Sequence, residues 1–145
     1  VATLEQFSKR IMEIGAQVAE RADVAVRATA LAVDQTVVMA TPVDTGRARS
    51  NWIVSIGAPS RTTVDPYAPG VGGSTAGANA AAALAQGQAA IAQYNGLRDS
   101  AIAISNNLPY IGRLNDGYSA QAPAGFVEKA VQSGVREVRK VGFVR

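Results

Sequence analysis

Leu4, Phe7, Ile11, Ile14 and Val18 recur three and four positions apart, which is the spacing of one apolar stripe on an α-helix. Thr3-Leu-Glu-Gln6 at its start is a capping-box pattern. From Val24 to Met39 the apolar positions spread round the helix, through Val26, Leu31, Val33, Val37 and Val38, which predicts burial on several sides. Pro42 stops the helix at about Ala40 or Thr41, because the residue before a proline avoids the α region. At ~1.5 Å per residue such a helix reaches roughly 55 Å. That is long for a chain of 145 residues, so either the helix bends or one end projects and packs on another subunit.

The period then changes to two. Trp52, Val54 and Ile56 share one face of a strand predicted over 51–57, and Ile102 and Ile104 share a face of a second over 98–105. The two are expected to pair antiparallel. A two-stranded sheet is marginal alone, so a third strand from 60–67 or 141–145, or close helix packing, is needed. Asp44 or Thr45 is placed to cap a short helical turn that carries Arg47, Arg49 and Ser50.

Between the strands, Ala58 to Asn79 is rich in Pro, Gly, Ser and Thr, and a connection of that length implies a binding arm or disorder. An alanine-rich helix follows over 78–94, with a thin apolar face of Leu84, Ile91 and Tyr94. It has little to bury, so it is expected to be held by neighbours or to be mobile. After the second strand, Pro109 to Leu114 is long enough for about one helical turn, Asp116-Gly117 is a turn, and Ala122-Pro123 opens a last helix from Phe126 to about Lys140. The fold class is α+β in one domain spanning 1–145. Its long N-terminal and C-terminal helices pack on a small antiparallel sheet, with the 58–77 loop and the alanine-rich helix inserted between the strands.

Composition narrows the chemistry. The chain has neither cysteine nor histidine, which removes disulfides, thiol nucleophiles, imidazole acid–base catalysis and the usual zinc ligand sets. Asp44-Thr-Gly-Arg47 stands alone, whereas an aspartic-protease site needs two such carboxylates. Gly70-Val-Gly-Gly73 lacks the Gly-Lys-Ser/Thr ending of a phosphate loop. No apolar run is long enough for a membrane span, and no signal peptide is visible. The net charge is +3, and residues 122–145 carry five basic groups against two acidic ones, which accounts for the excess. Lys129, Arg136, Arg139, Lys140 and Arg145 are therefore either a solvated helix face or a surface for nucleic acid or an acidic partner.

Two blocks resemble a family of tailed-bacteriophage structural proteins, called neck, head–tail joining, tail-completion or minor tail proteins. The first is Thr41-Pro-Val-Asp-Thr-Gly-Arg-Ala-Arg-Ser-Asn-Trp52. The second is Ile104-Ser-Asn-Asn-Leu-Pro-Tyr-Ile-Gly-Arg-Leu-Asn-Asp-Gly-Tyr-Ser-Ala-Gln-Ala-Pro-Ala-Gly-Phe-Val127. Family members commonly carry a Leu-Glu-X-Gly-Tyr/Thr-Ser core followed by Gln-Ala-Pro-X-Gly. Asn115 stands where a glutamate is usual, which bears on any salt bridge the family makes at that point and not on the fold.

The resemblance implies a virion protein without enzymatic activity, catalytic residue, metal or cofactor. It implies a homo-oligomeric ring at the head–tail junction or in the tail, touching portal, adaptor and tail proteins and lying near double-stranded DNA in the channel. Neighbour contacts are then expected from the loop that carries Tyr110, Arg113, Leu114, Asn115, Asp116, Tyr118 and Gln121. Arg47, Arg49, Arg136, Arg139 and Lys140 are the candidates for facing DNA or an acidic partner. The competing reading is a small DNA-binding or DNA-packaging accessory protein. That reading needs a basic patch with a groove-entering helix, or clustered carboxylates for a metal, and the carboxylates here are scattered.

Overall fold

Thr3 opens the first helix as its capping box requires. Its Oγ1 accepts from the Gln6 N–H at 3.2 Å, and its own N–H donates to Gln6 Oε1 at 2.9 Å. The computed structural model describes residues 3–141, and this helix, α1, runs Leu4–Ala40. The remaining elements are α2 (Arg47–Ser50), β1 (Ile53–Ile56), α3 (Ala76–Ala92), β2 (Ile102–Ser105), α4 (Ile111–Asn115) and α5 (Phe126–Val141). The α+β class holds, with long N- and C-terminal helices around a two-stranded antiparallel sheet. Ile53 pairs with Ser105 and Ile56 with Ile102.

The sheet gains no third strand among the described residues. Residues 60–67 are irregular, Val141 closes α5, and 142–145 lie outside the described residues. A side chain takes the missing strand's place. Gln86 on α3 accepts from the Val54 N–H at 3.1 Å and donates to the Val54 carbonyl at 2.9 Å. One amide thus satisfies both backbone polar groups of Val54, which a buried backbone requires.

The alanine-rich helix belongs to the core. Ala80 and Ala83 pack with Val37, Val38, Trp52 and Ala130 in the main cluster, and Ile91 joins Ala30 and Val54 in a second. Because alanine adds little bulk, α3 lies close enough to α1 and β1 for those residues to meet. Glycine does the same elsewhere. A Cβ on Gly134 of α5 would stand 2.8 Å from the Val33 Cα of α1, inside any tolerated contact. The two helices run antiparallel there, with the Thr36 hydroxyl donating to the Ala130 carbonyl at 2.7 Å.

The first helix divides in two. Beyond Asp23 it is built into the body: Asp23 accepts from the Gly96 N–H at 3.1 and 3.2 Å, and Arg27 donates to the Tyr94 carbonyl at 3.0 Å. Its C-terminal part buries Ala30, Asp34, Val37 and Val38, but Val24, Val26, Leu31 and Met39 stay exposed, so burial is one-sided and not all round as the pattern predicts. Residues 3–18 are all exposed. Leu4 is 82% exposed and Phe7 58%, so the apolar stripe has no partner among the described residues. Of the two expectations for so long a helix, projection of one end is the one observed. No helix among the described residues is long and apolar enough to cross a membrane.

Candidate functional site

The two sequence blocks, far apart along the chain, meet at a cleft of about 360 Å³. One wall is the loop from Pro42 to Ala48, and the other carries Tyr110, Leu114, Tyr118, Ser119 and Gln121. Gln121 joins the walls. Its Oε1 accepts from the Val43 N–H at 2.9 Å, and its Nε2 donates to the Val43 carbonyl at 3.0 Å.

Local chemistry shapes the first wall. Gly46 adopts φ +89°, where a side chain would be strained and would also run into Asn79. Gly46 precedes α2 as its N-cap, and Thr45 Oγ1 accepts from the first N–H of the turn, that of Arg47, at 3.4 Å. Asp44 is used differently: its Oδ1 accepts from the Gly72 N–H at 2.9 Å and its carbonyl accepts from the Gly73 N–H at 2.9 Å. Thr41 sits behind the wall, accepting from Trp52 Nε1 at 2.7 Å and donating to the Val37 carbonyl at 2.6 Å.

Along the second wall, burial pushes the Tyr110 phenol up, and the positive charge of Arg47 across the cleft opposes that shift. The Arg113 guanidinium lies 5.1 Å from the centre of the Tyr118 ring, a cation–π distance. Asn115 turns away to build the start of α5. Its Oδ1 accepts from the Val127 N–H at 2.9 Å, and its Nδ2 donates to both Glu128 oxygens at 3.0 Å. These bonds favour the charged form of Glu128 and hold its carboxyl below the usual range. A glutamate at 115 would set two carboxylates against each other here. The amide makes a neutral cap at this position.

Of the residues expected at a partner-contact loop, Tyr110, Leu114, Tyr118 and Gln121 line the cleft with Arg47. Arg113 covers Tyr118, Asn115 is structural, and Asp116 is exposed. The five basic candidates do not form one patch. Arg49 is built into the fold: its guanidinium donates to the carbonyls of Met39 at 3.1 Å, Thr41 at 2.9 Å and Ala76 at 3.3 Å, so it ties α1 to α3. Burial lowers its pKa. Arg136, Arg139 and Lys140 are exposed in the last turns of α5, and Lys140 pairs with Glu137 at 2.9 Å. Because α5 runs antiparallel to α1, these three lie away from the cleft.

Sequence reasoning passed over the polar residues that hold the 58–77 connection. Asn51 donates to the Val64 carbonyl and accepts from its N–H, both at 2.8 Å. Asn79 does the same to Ala68, at 2.7 and 2.9 Å, and accepts from the Ser50 hydroxyl at 2.8 Å. The connection is irregular, as its composition predicts, but it is stitched to the body and does not stand out as an arm. The available signal was the type of residue: asparagine and glutamine at positions whose neighbours are apolar. Asp34 was also missed. It is 1% exposed beside Gly87, and its Oδ1 has no hydrogen-bond partner among the described residues. Burial raises its pKa to about 7.

No family model, no curated protein and no solved structure matches this chain.

Proposed function

We propose that this protein is a structural ring subunit of the head–tail interface of a tailed bacteriophage, of the neck, tail-completion or tail-terminator kind, and that it makes and breaks no bond. The observation that carries the reading is the convergence of the two resembling blocks on one cleft, with Gln121 of the second clamped on Val43 of the first. A long helix that leaves residues 4–18 outside the body also suits a subunit whose neighbours are copies of itself. In this reading Arg47, Tyr110 and Tyr118 meet a portal, adaptor or tail protein. The exposed Arg136, Arg139 and Lys140 lie near channel DNA and touch it without reading its sequence.

The test is to delete the gene from a phage that encodes the protein. Heads filled with DNA but lacking attached tails are expected, with labelled chain at the junction of complemented particles. Normal yields of infectious particles, or particles without the chain, would reject the reading.

A further inference from the structure

The chain carries a second apolar surface that complements its exposed stripe. A groove of about 370 Å³ opens between α1 and β2, lined by Ala25, Val26, Thr29, Ala30, Ile102 and Ile104. Its walls are almost wholly hydrocarbon, and Thr29 turns its hydroxyl back to the Ala25 carbonyl at 2.8 Å, so it offers no free donor to the groove. The stripe of Leu4, Phe7, Ile11, Ile14 and Val18, with Met12 beside it, is convex and equally apolar. We infer that the projecting N-terminal helix of one copy lies in the α1–β2 groove of the next copy, a head-to-tail contact between two different surfaces of the same chain.

Three considerations select a second copy as the occupant. The stripe's side chains are all more than half exposed, Leu4 at 82% and Met12 at 74%, a contiguous apolar surface of the kind that marks a protein contact. The groove has room for large side chains such as Phe7 and Ile11, and anchors at this spacing are how an amphipathic helix fills a groove. The symmetric alternative, stripe against stripe, is too short. Its a/d pattern covers two heptads and then meets Arg21 at the next position, whereas a coiled coil needs three or four. A contact between unlike surfaces leaves each copy with one helix to give and one groove to fill, so it propagates to a ring or a filament. The inference supplies the subunit contact for the ring reading above, although the two surfaces stand apart from that reading.

The chain has no cysteine, so single cysteines report the contact directly. Full-length Ile11→Cys and Ile102→Cys chains are purified, mixed at high micromolar concentration and oxidised. A mixed disulfide between the two variants is expected, with little cross-linking of either alone. Phe7→Asp lies outside the body, so the fold is retained, and it is expected to weaken self-association measured by sedimentation more than tenfold. Val26→Asp in the groove is expected to do the same. Cross-linking of Ile11→Cys with itself would overturn the proposal in favour of a symmetric pair. A monomer at every concentration would overturn it outright. A mixed disulfide that appears only after residues 142–145 are removed would overturn it in favour of the chain's own terminus as occupant. The experiment uses no phage particle, so head-to-tail assembly of a chain absent from particles would sink the neck reading alone. Particles that contain the chain, without this disulfide, would sink the contact alone.

Discussion

The two halves of α1 both carry apolar side chains and meet opposite outcomes. Val37 and Val38 are 1% and 0% exposed, while Leu4 and Phe7 face outward. The difference lies in what stands opposite. Around the C-terminal half, small residues let neighbours come in: Ala80 and Ala83 on α3, Ala130 and Gly134 on α5. Around the N-terminal half, no described element approaches. An apolar stripe therefore states that a helix will be covered without stating by what, and inside this chain the covering elements are those poor in bulk.

Asp34 gives the largest expected effect within the packed half. Burial holds its carboxyl at a pKa of about 7 in the folded protein, well above the usual carboxylate range. The folded state thus binds the proton more tightly than the unfolded one. The contribution of Asp34 to stability is fully present below about pH 4, is lost as pH rises towards 7, and levels off above that, a change on the order of 4 kcal/mol. Asp34→Asn should flatten the profile between pH 4 and 8 in urea unfolding and raise stability at pH 8. An unchanged slope would show that Asp34 is solvated and that the α1–α3 contact is looser than described.

Gly134→Val tests the α1–α5 crossing. The new side chain meets the Val33 backbone, which has no rotamer to yield, so a loss of about 3 kcal/mol is expected in chemical denaturation. Gln86→Ala comes next. It strips the N–H and carbonyl of Val54 of their partner on β1 and should cost about 2 kcal/mol. If it were neutral, water would be reaching the sheet edge and the third-strand role of the glutamine would fail.

How far the sequence carried the fold follows from the same contrast. Periodicity placed α1, α5 and both strands, because alternation and three-four spacing are properties of a segment by itself. It offered two outcomes for α3, held by neighbours or mobile, and the first is observed: its alanines bury little themselves, but their small size lets α1 and β1 approach closely. For the 58–77 connection, proline and glycine forbid regular structure and imply an arm or disorder, while its anchors, Asn51 and Asn79, lie outside the segment. Four amides each hold the N–H and carbonyl of a single distant residue: Gln86 on Val54, Asn51 on Val64, Asn79 on Ala68 and Gln121 on Val43. Such pairings have no spacing in sequence to reveal them. The cleft was half legible. Its second wall was read as a contact loop, but its union with the Pro42–Ala48 loop depends on Gln121 and on the backbone turn at Gly46. Arg49 looked like its neighbour Arg47, and only the position of the carbonyls of Met39, Thr41 and Ala76 separates them.

The smallest expected effect lies in the projecting half, and it has the opposite sign. Gly15 is an interior helical glycine with nothing near its Cβ position, unlike Gly134 on α5. Gly15→Ala therefore meets no clash and gains about 1 kcal/mol of helix propensity. Since an isolated helical stretch of this length is marginal, the gain acts locally. Amide hydrogen exchange over residues 8–18 should slow about fivefold, while the urea slope that reports core exposure stays unchanged. A destabilisation of the kind expected at Gly134 would mean that Gly15 is a packing position against the body, and the division of α1 into a held half and a presented half would no longer stand.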